Sequence, residues 1–178
     1  ADDDRETRRL TDALHPGEPI ADGIGLVMAT SGTTGTPKGA QLSAAALRAS
    51  GEATHERLGG TGSWLLALPA HHIAGMQVLL RSLLSGTDPV VVDVANGFDP
   101  AALPSAIAAM DGPRRYSSMV PTQLIKMLEH PDATRAATEL DAILLGGAAT
   151  PAPVLRRARD AGITVVRTYG MSETCGGC

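Results

Sequence analysis

Short apolar runs alternate along the chain with longer stretches in which apolar residues recur every three to four positions. The runs at 25–29, 63–68, 90–94, 116–120, 142–145 and 163–167 read as strands, and the segments 44–58, 73–84, 101–110, 122–128 and 152–161 as helices. Start signals agree with the helices. Ser43 stands where an N-cap is needed, while Asp99-Pro100 and Thr150-Pro151 each put a capping oxygen before a proline, whose missing N–H costs nothing in a first turn. Several strands do not alternate; the run at 90–94 is apolar apart from Asp93. Strands of that kind are covered on both faces, which predicts an α/β fold with a mostly parallel, doubly wound sheet and helices on both faces. In such sheets ligands bind outside the carboxyl ends of the strands, so the loops that follow strands are where chemistry is sought.

Composition narrows the picture. The 178 residues, 43% hydrophobic and 19% charged, suit one folded domain or part of one and exclude a mainly disordered chain. No run approaches the roughly 20 apolar residues of a membrane helix. The start, Ala1-Asp2-Asp3-Asp4, is acidic where a secretory signal would be basic and then apolar, so a cytoplasmic protein is expected. A net charge of -4 and four scattered aromatics, Trp64, Phe98, Tyr116 and Tyr169, argue against nucleic acid as a partner. Cys175 and Cys178 form a C-x-x-C pair with no helix behind it to lower a thiol pKa, so free thiols are expected, with a thiol-disulfide protein as the alternative. Residues 1–23 read as a lead-in. The glycine-rich stop reads as an interruption, making 1–178 part of a larger domain.

Four loops carry unusual residues. Thr30-Ser31-Gly32-Thr33-Thr34-Gly35-Thr36-Pro37-Lys38-Gly39 holds five hydroxyls, three glycines and one of the two lysines in the chain. Glycines let backbone N–H groups approach an anion, hydroxyls add donors, and an ammonium supplies a point charge, so the stretch has the makings of a polyphosphate cradle. It is not a Walker loop, because no Ser or Thr follows the lysine. A flexible Ser/Thr/Gly linker is the alternative, but linkers seldom place a proline-fixed lysine at a strand end. The second loop, Leu68-Pro69-Ala70-His71-His72-Ile73-Ala74-Gly75, has a histidine pair that reads equally as half a metal site or a polar cap. The third, Leu144-Leu145-Gly146-Gly147-Ala148-Ala149-Thr150-Pro151, is made of small residues, as a tight turn is. The fourth is Arg167-Thr168-Tyr169-Gly170-Met171-Ser172-Glu173-Thr174.

Taken in order, these four segments resemble the signatures of the AMP-forming, adenylate-forming (acyl-CoA synthetase) superfamily. The resemblance covers almost the whole chain and implies part of the large N-terminal domain of such an enzyme. It assigns ATP/AMP binding to Thr30, Ser31, Gly32, Thr33, Thr34, Gly35, Lys38, Gly147, Ala148, Tyr169, Gly170, Met171 and Ser172. Tyr169 would stack on adenine, and Ser172, where the family usually has Thr, would touch the α-phosphate. Catalytic roles fall to Lys38, His72 and Glu173, with Glu173 as the magnesium ligand. His72, Gly146 and Gly147 would contact the acid, although His71 stands where the family has an aromatic residue.

Finer details, His72-Ile73-Ala74-Gly75-Met76-Gln77-Val78-Leu79-Leu80-Arg81, Val120-Pro121-Thr122-Gln123-Leu124 and the run 162–174, resemble the o-succinylbenzoate-CoA ligase branch of menaquinone biosynthesis. Arg81 would then meet the second carboxylate of the substrate; a helix-surface arginine without a role is the plainer alternative. The resemblance implies ATP, Mg2+ and coenzyme A as reactants and cofactors, adenylation of the acid followed by thioester formation, and allows a homodimer. The ribose-binding Asp, the hinge and the lid-domain lysine of the family fall outside these residues, which implies a fragment inactive alone. A ligase for another aryl, fatty or amino acid and a non-catalytic nucleotide-binding remnant remain the competing readings.

Overall fold

A computed structural model describes residues 16–30 and 38–177, together with Arg8, Thr11, Asp12 and Leu14. Its elements are β1 (Ile24–Thr30), β2 (Lys38–Ser43), α1 (Ala44–Leu58), β3 (Ser63–Leu66), α2 (Ile73–Ser85), β4 (Val90–Val91), α3 (Leu103–Ala108), β5 (Arg115–Met119), α4 (Pro121–Leu128), α5 (Pro131–Ala137), β6 (Ala142–Leu145), α6 (Ala152–Asp160), β7 (Val165–Arg167), β8 (Gly170–Met171) and β9 (Gly176–Gly177). Five strands form a parallel sheet in the order β4-β3-β5-β6-β7.

The non-alternating strands are buried on both faces, as their composition requires. Leu65, Ala67, Ile143, Leu145 and Met119 pack into one core with Leu103 and Ile107 of α3, Leu124 and Met127 of α4, the alanines of α5 and Ala158 of α6. Their neighbours Trp64, Leu66, Ala142, Leu144 and Tyr116 face the other way, against Leu58 of α1 and Val78 and Leu79 of α2. The doubly wound, mostly parallel α/β architecture is therefore present.

Two expectations need correction, and two elements were not foreseen. The first strand does not join the parallel sheet: β1 pairs antiparallel with β2, Thr30 opposite Lys38, in a separate two-stranded ribbon. Residues 31–37 are too few for the crossover of a dozen or more that parallel neighbours need. Strand β2, unforeseen, reads Lys-Gly-Ala-Gln-Leu-Ser and buries only Leu42 fully among residues 39–42. Helix α5 was likewise unforeseen, because His130 rather than a hydroxyl or carboxylate caps it, Nδ1 accepting from Ala133 N–H at 3.3 Å. Thr150 does not cap α6: Pro151, extended at ψ 136°, is itself the residue before the first turn. The other caps hold, Ser43 Oγ accepting from Ala46 N–H at 3.1 Å and Asp99 Oδ1 from Ala101 N–H at 2.9 Å. Asp99 caps a 3-10 turn over Pro100–Ala102 that leads into α3.

The ribbon sits on the α1–α2 layer through a third cluster of Met28, Leu42, Leu47 and Cys175, with Ile73, Met76 and Leu80 packed against it. Beneath α1 and α2 lies a chain of polar contacts in the core. Trp64 Nε1 donates to His55 Nε2 at 3.3 Å, the Ser85 hydroxyl lies 3.3 Å from the same nitrogen, and Tyr116 stacks at a tilt on Trp64 with ring centroids 5.1 Å apart.

Burial, and secondarily the Arg81 charge, holds the His55 imidazole below its ordinary 6.5. The unfolded chain therefore takes up this proton first as the medium is acidified, so the stability tied to neutral His55 is complete above 6.5 and is lost as pH falls through the lower folded value. Urea-unfolding midpoints followed from neutral pH to about 5 should fall less steeply for His55→Gln than for the wild type; parallel slopes would show that His55 is not coupled to folding.

Candidate active site

The winding of the sheet makes the site. From β3 the chain passes through α2 to β4 on one side; the next strand, β5, lies on the other side of β3, reached through α3 on the opposite face. The carboxyl ends of β3 and β5 thus lead to opposite faces, the crevice in which open α/β sheets bind ligands. A cavity of about 120 Å³ lies there. Its wall includes Leu68 after β3, Ile73, Gln77 and Arg81 of α2, Ser118 and Val120 at the end of β5, Gly146 and Gly147 after β6, and Thr168 and Gly170 after β7.

Close backbone approach shapes its mouth. A Cβ on Gly75 would strike the carbonyl of Pro69, so only glycine lets the first turn of α2 press on the loop that carries His71 and His72. Gly147 adopts φ 82°, where L side chains are strained, and turns the chain after β6 across the cavity toward Val120.

The cavity is polar where the core around it is apolar. Gln77 is 1% exposed and Arg81 3%. Gln77 Oε1, Arg81 Nε and Ser118 Oγ are all buried without a hydrogen-bond partner. Among the described residues no carboxylate pairs with Arg81. Burial lowers its pKa to about 10, which leaves the guanidinium charged at neutral pH. Three unsatisfied polar atoms, one of them cationic, around one small space are the wall of a site for a polar, anionic group.

A second assembly adjoins it. Strands β8 and β9 form a short antiparallel pair around a 3-10 turn, Ser172–Thr174. The carbonyl of Cys175 accepts from the Gln77 amide and from Ser50 Oγ at 3.3 Å, tying this pair to α1 and α2. Both β1 and β2 contact the same turn, so the flanks of the 30–39 loop and the 167–174 segment meet. Cys175 is free and buried, and burial raises its thiol pKa, the opposite of what a redox thiol needs. Cys178 lies outside the described residues.

Of the residues singled out from sequence, Arg81, Gly146, Gly147 and Gly170 line the cavity. His72 is exposed at the N-cap of α2, its ring 4.3 Å from that of His71, and does not belong to the wall. Ala148, Tyr169, Met171 and Glu173 are exposed along the same loops, with Ser172 half-buried among them. Thr30 is half-buried at the end of β1. Lys38 opens β2, while its side chain and Ser31, Gly32, Thr33, Thr34 and Gly35 lie outside the described residues. Gln77, Ser118 and Thr168 were not foreseen. Gln77 carries a signal: with Arg81 it makes a polar pair four residues apart on a mainly apolar helix, hence on one face.

A polar cavity at the switch point of a doubly wound sheet is where α/β domains of this kind bind nucleotides and other ligands. Residues 2–178 match the AMP-binding enzyme family, and the chain belongs to it. It is 59% identical over 169 residues to a probable 2-succinylbenzoate-CoA ligase of Mycobacterium tuberculosis, covering 95% of this chain and 44% of that protein. Among solved structures it is similar to o-succinylbenzoate CoA synthetase from Bacillus subtilis. A double mutant of that enzyme bound to its product analogue OSB-NCoA aligns with TM-score 0.77 at 34% identity, over 89% of this chain and 32% of that one. The complex with ATP and magnesium ion aligns with TM-score 0.76 at 33% identity, over 90% and 34%. The chain thus spans less than half the length of the relatives it matches.

Replacing Gln77 by Leu keeps the volume but leaves the Cys175 carbonyl to Ser50 alone. The 170–177 segment should open more readily, seen as faster amide hydrogen exchange at Cys175 with that of β5 and β6 unchanged; unaltered exchange at Cys175 would show that Gln77 does not hold the segment.

Proposed function

We propose that this chain is the central part of the larger N-terminal domain of an o-succinylbenzoate-CoA ligase of menaquinone biosynthesis, a cytoplasmic enzyme that works as a homodimer. The observation that carries the reading is Arg81: a buried guanidinium with no acidic partner among the described residues, on the wall of a cavity at the sheet's switch point. Such a cation suits an acid with a second carboxylate and is superfluous for a monocarboxylate. The similarity to succinylbenzoate ligases in two genera supports it.

In the reaction the substrate carboxylate attacks the α-phosphorus of ATP and pyrophosphate leaves; the thiol of coenzyme A then displaces AMP from the acyl-adenylate to give the thioester. The barrier is largely that of bringing two anions together, so the work of the residues is electrostatic and positional. The 30–39 loop, with Thr30, Ser31, Gly32, Thr33, Thr34, Gly35 and Lys38, would cradle the phosphates. Tyr169, with Gly170, Met171, Gly147 and Ala148, would seat the adenine, and Ser172 would donate to the α-phosphate. His72 would close the acid pocket from its mouth, with Gly146 and Gly147 letting the acyl group lie against backbone and Arg81 holding its far carboxylate.

Among the described residues no three His, Cys, Asp or Glu side chains gather to hold a metal ion. Glu173 is a carboxylate exposed on the Ser172–Thr174 turn, and an oxygen donor open to phosphate oxygens suits magnesium. When bound, the ion neutralises phosphate charge.

Acid-dependent ATP-pyrophosphate exchange by the complete protein tests the reading. Exchange is expected to be fast with o-succinylbenzoate and only slow with benzoate, a medium-chain fatty acid or amino acids. Lys38→Ala and Glu173→Gln should each reduce it about a hundredfold, and Arg81→Ala should weaken o-succinylbenzoate far more than any slow monocarboxylate. Exchange with a different acid would overturn the substrate, and silence with every acid would leave a nucleotide-binding remnant.

A further inference from the structure

We propose that Trp64 is a positioning residue for acid recognition, its indole face being the platform that aims the Arg81 guanidinium into the cavity. The inference rests on the reading of that cavity as the acid site.

Arg81 has to stay charged in a place where, among the described residues, no carboxylate pairs with it. The guanidinium carbon lies 5.1 Å from the centre of the Trp64 ring, and the negative face of that ring is the compensation the core offers. Stacking also restrains the side chain. A guanidinium lying on a plane loses freedom along its long stem before the substrate arrives, so less is lost on binding.

The platform is itself fixed. Trp64 is fully buried in β3. Its N–H donates to His55 Nε2 at 3.3 Å, Ser85 lies 3.3 Å from that nitrogen, and the Tyr116 ring packs at 48° with its centroid 5.1 Å away. Phenylalanine would present a face but not the N–H that sets the ring's rotation. Helix α2 thus supplies both Arg81 and Ser85, one on the platform and the other bracing its support. A Trp that merely filled space would need none of this chain of contacts.

Core filling and positioning separate when the ring keeps its shape and loses its electrons. Mono-, di- and trifluorotryptophan placed at position 64 alone in the complete ligase change volume little while draining the π face. With o-succinylbenzoate, KM should rise stepwise to about tenfold, with kcat, the KM for ATP and the KM for a monocarboxylate unchanged. Trp64→Phe, which keeps a face and drops the N–H, should raise the same KM by less than Trp64→Leu. A flat KM across the fluorinated series, with Arg81→Ala still selective against the dicarboxylate, would reduce Trp64 to a core residue and overturn the proposal alone. Equal losses for both acids on Arg81→Ala would overturn the reading of the cavity and the proposal with it.

Discussion

Parallel strands cannot be joined by a tight turn, and the crossovers that join them keep one hand, so a chain that reverses its direction across a sheet must change faces. Here the reversal falls between β3 and β5, with α2 on one face and α3 to α6 on the other. The carboxyl ends of the two strands lead apart, and the space between them is filled by neither layer. Every residue of the cavity wall follows from that divergence: the loop after β3, the start of α2, the end of β5 and the turns after β6 and β7. Gln77 and Arg81, four residues apart on α2, share one face of the helix and both reach this space.

The second constraint is how segments far apart in sequence reach one rim. The β1–β2 ribbon contributes nothing to the parallel sheet, yet Met28 and Leu42 pack with Cys175, and both strands lie against the turn at Ser172–Thr174. The carbonyl of Cys175, held from α1 by Ser50 and from α2 by Gln77, fixes that turn over the helical layer. Gln77 is therefore shared between the cavity wall and the tie, so the geometry of the 167–174 segment and of the cavity are coupled through one side chain.

The alternation of apolar runs and helical segments was legible because strands covered on both faces drop the period of two, and glycine-rich loops stand out between them. The ribbon was not, since six residues whose described side chains include one fully buried carry no strand signal of their own and pair only because β1 is beside them. Helix α5 hid behind a histidine cap and a proline that reads as a stop. At the site, the loop residues were legible as chemistry out of place in turns, whereas Trp64 and Ser118 were not. Each sits in a strand where an apolar or small residue is ordinary, and its role comes from what a helix distant in sequence lays over it. Periodicity reports which face a residue takes, not what meets it there.

Arginine in the core is a poor way to build a stable fold, since apolar residues of the same volume stabilise as well or better without the desolvation. The sheet offers Arg81 an aromatic face instead of a carboxylate, and the guanidinium keeps its charge at neutral pH. A carboxylate from the chain would satisfy the cation more fully, but it would also occupy the position an incoming anion needs. A quadrupole compensates part of the charge and leaves its outward side open. The half-satisfied state, with Gln77 Oε1 and Ser118 Oγ also lacking partners, is thus the arrangement expected where stability has been exchanged for affinity toward a group that the fold itself does not contain.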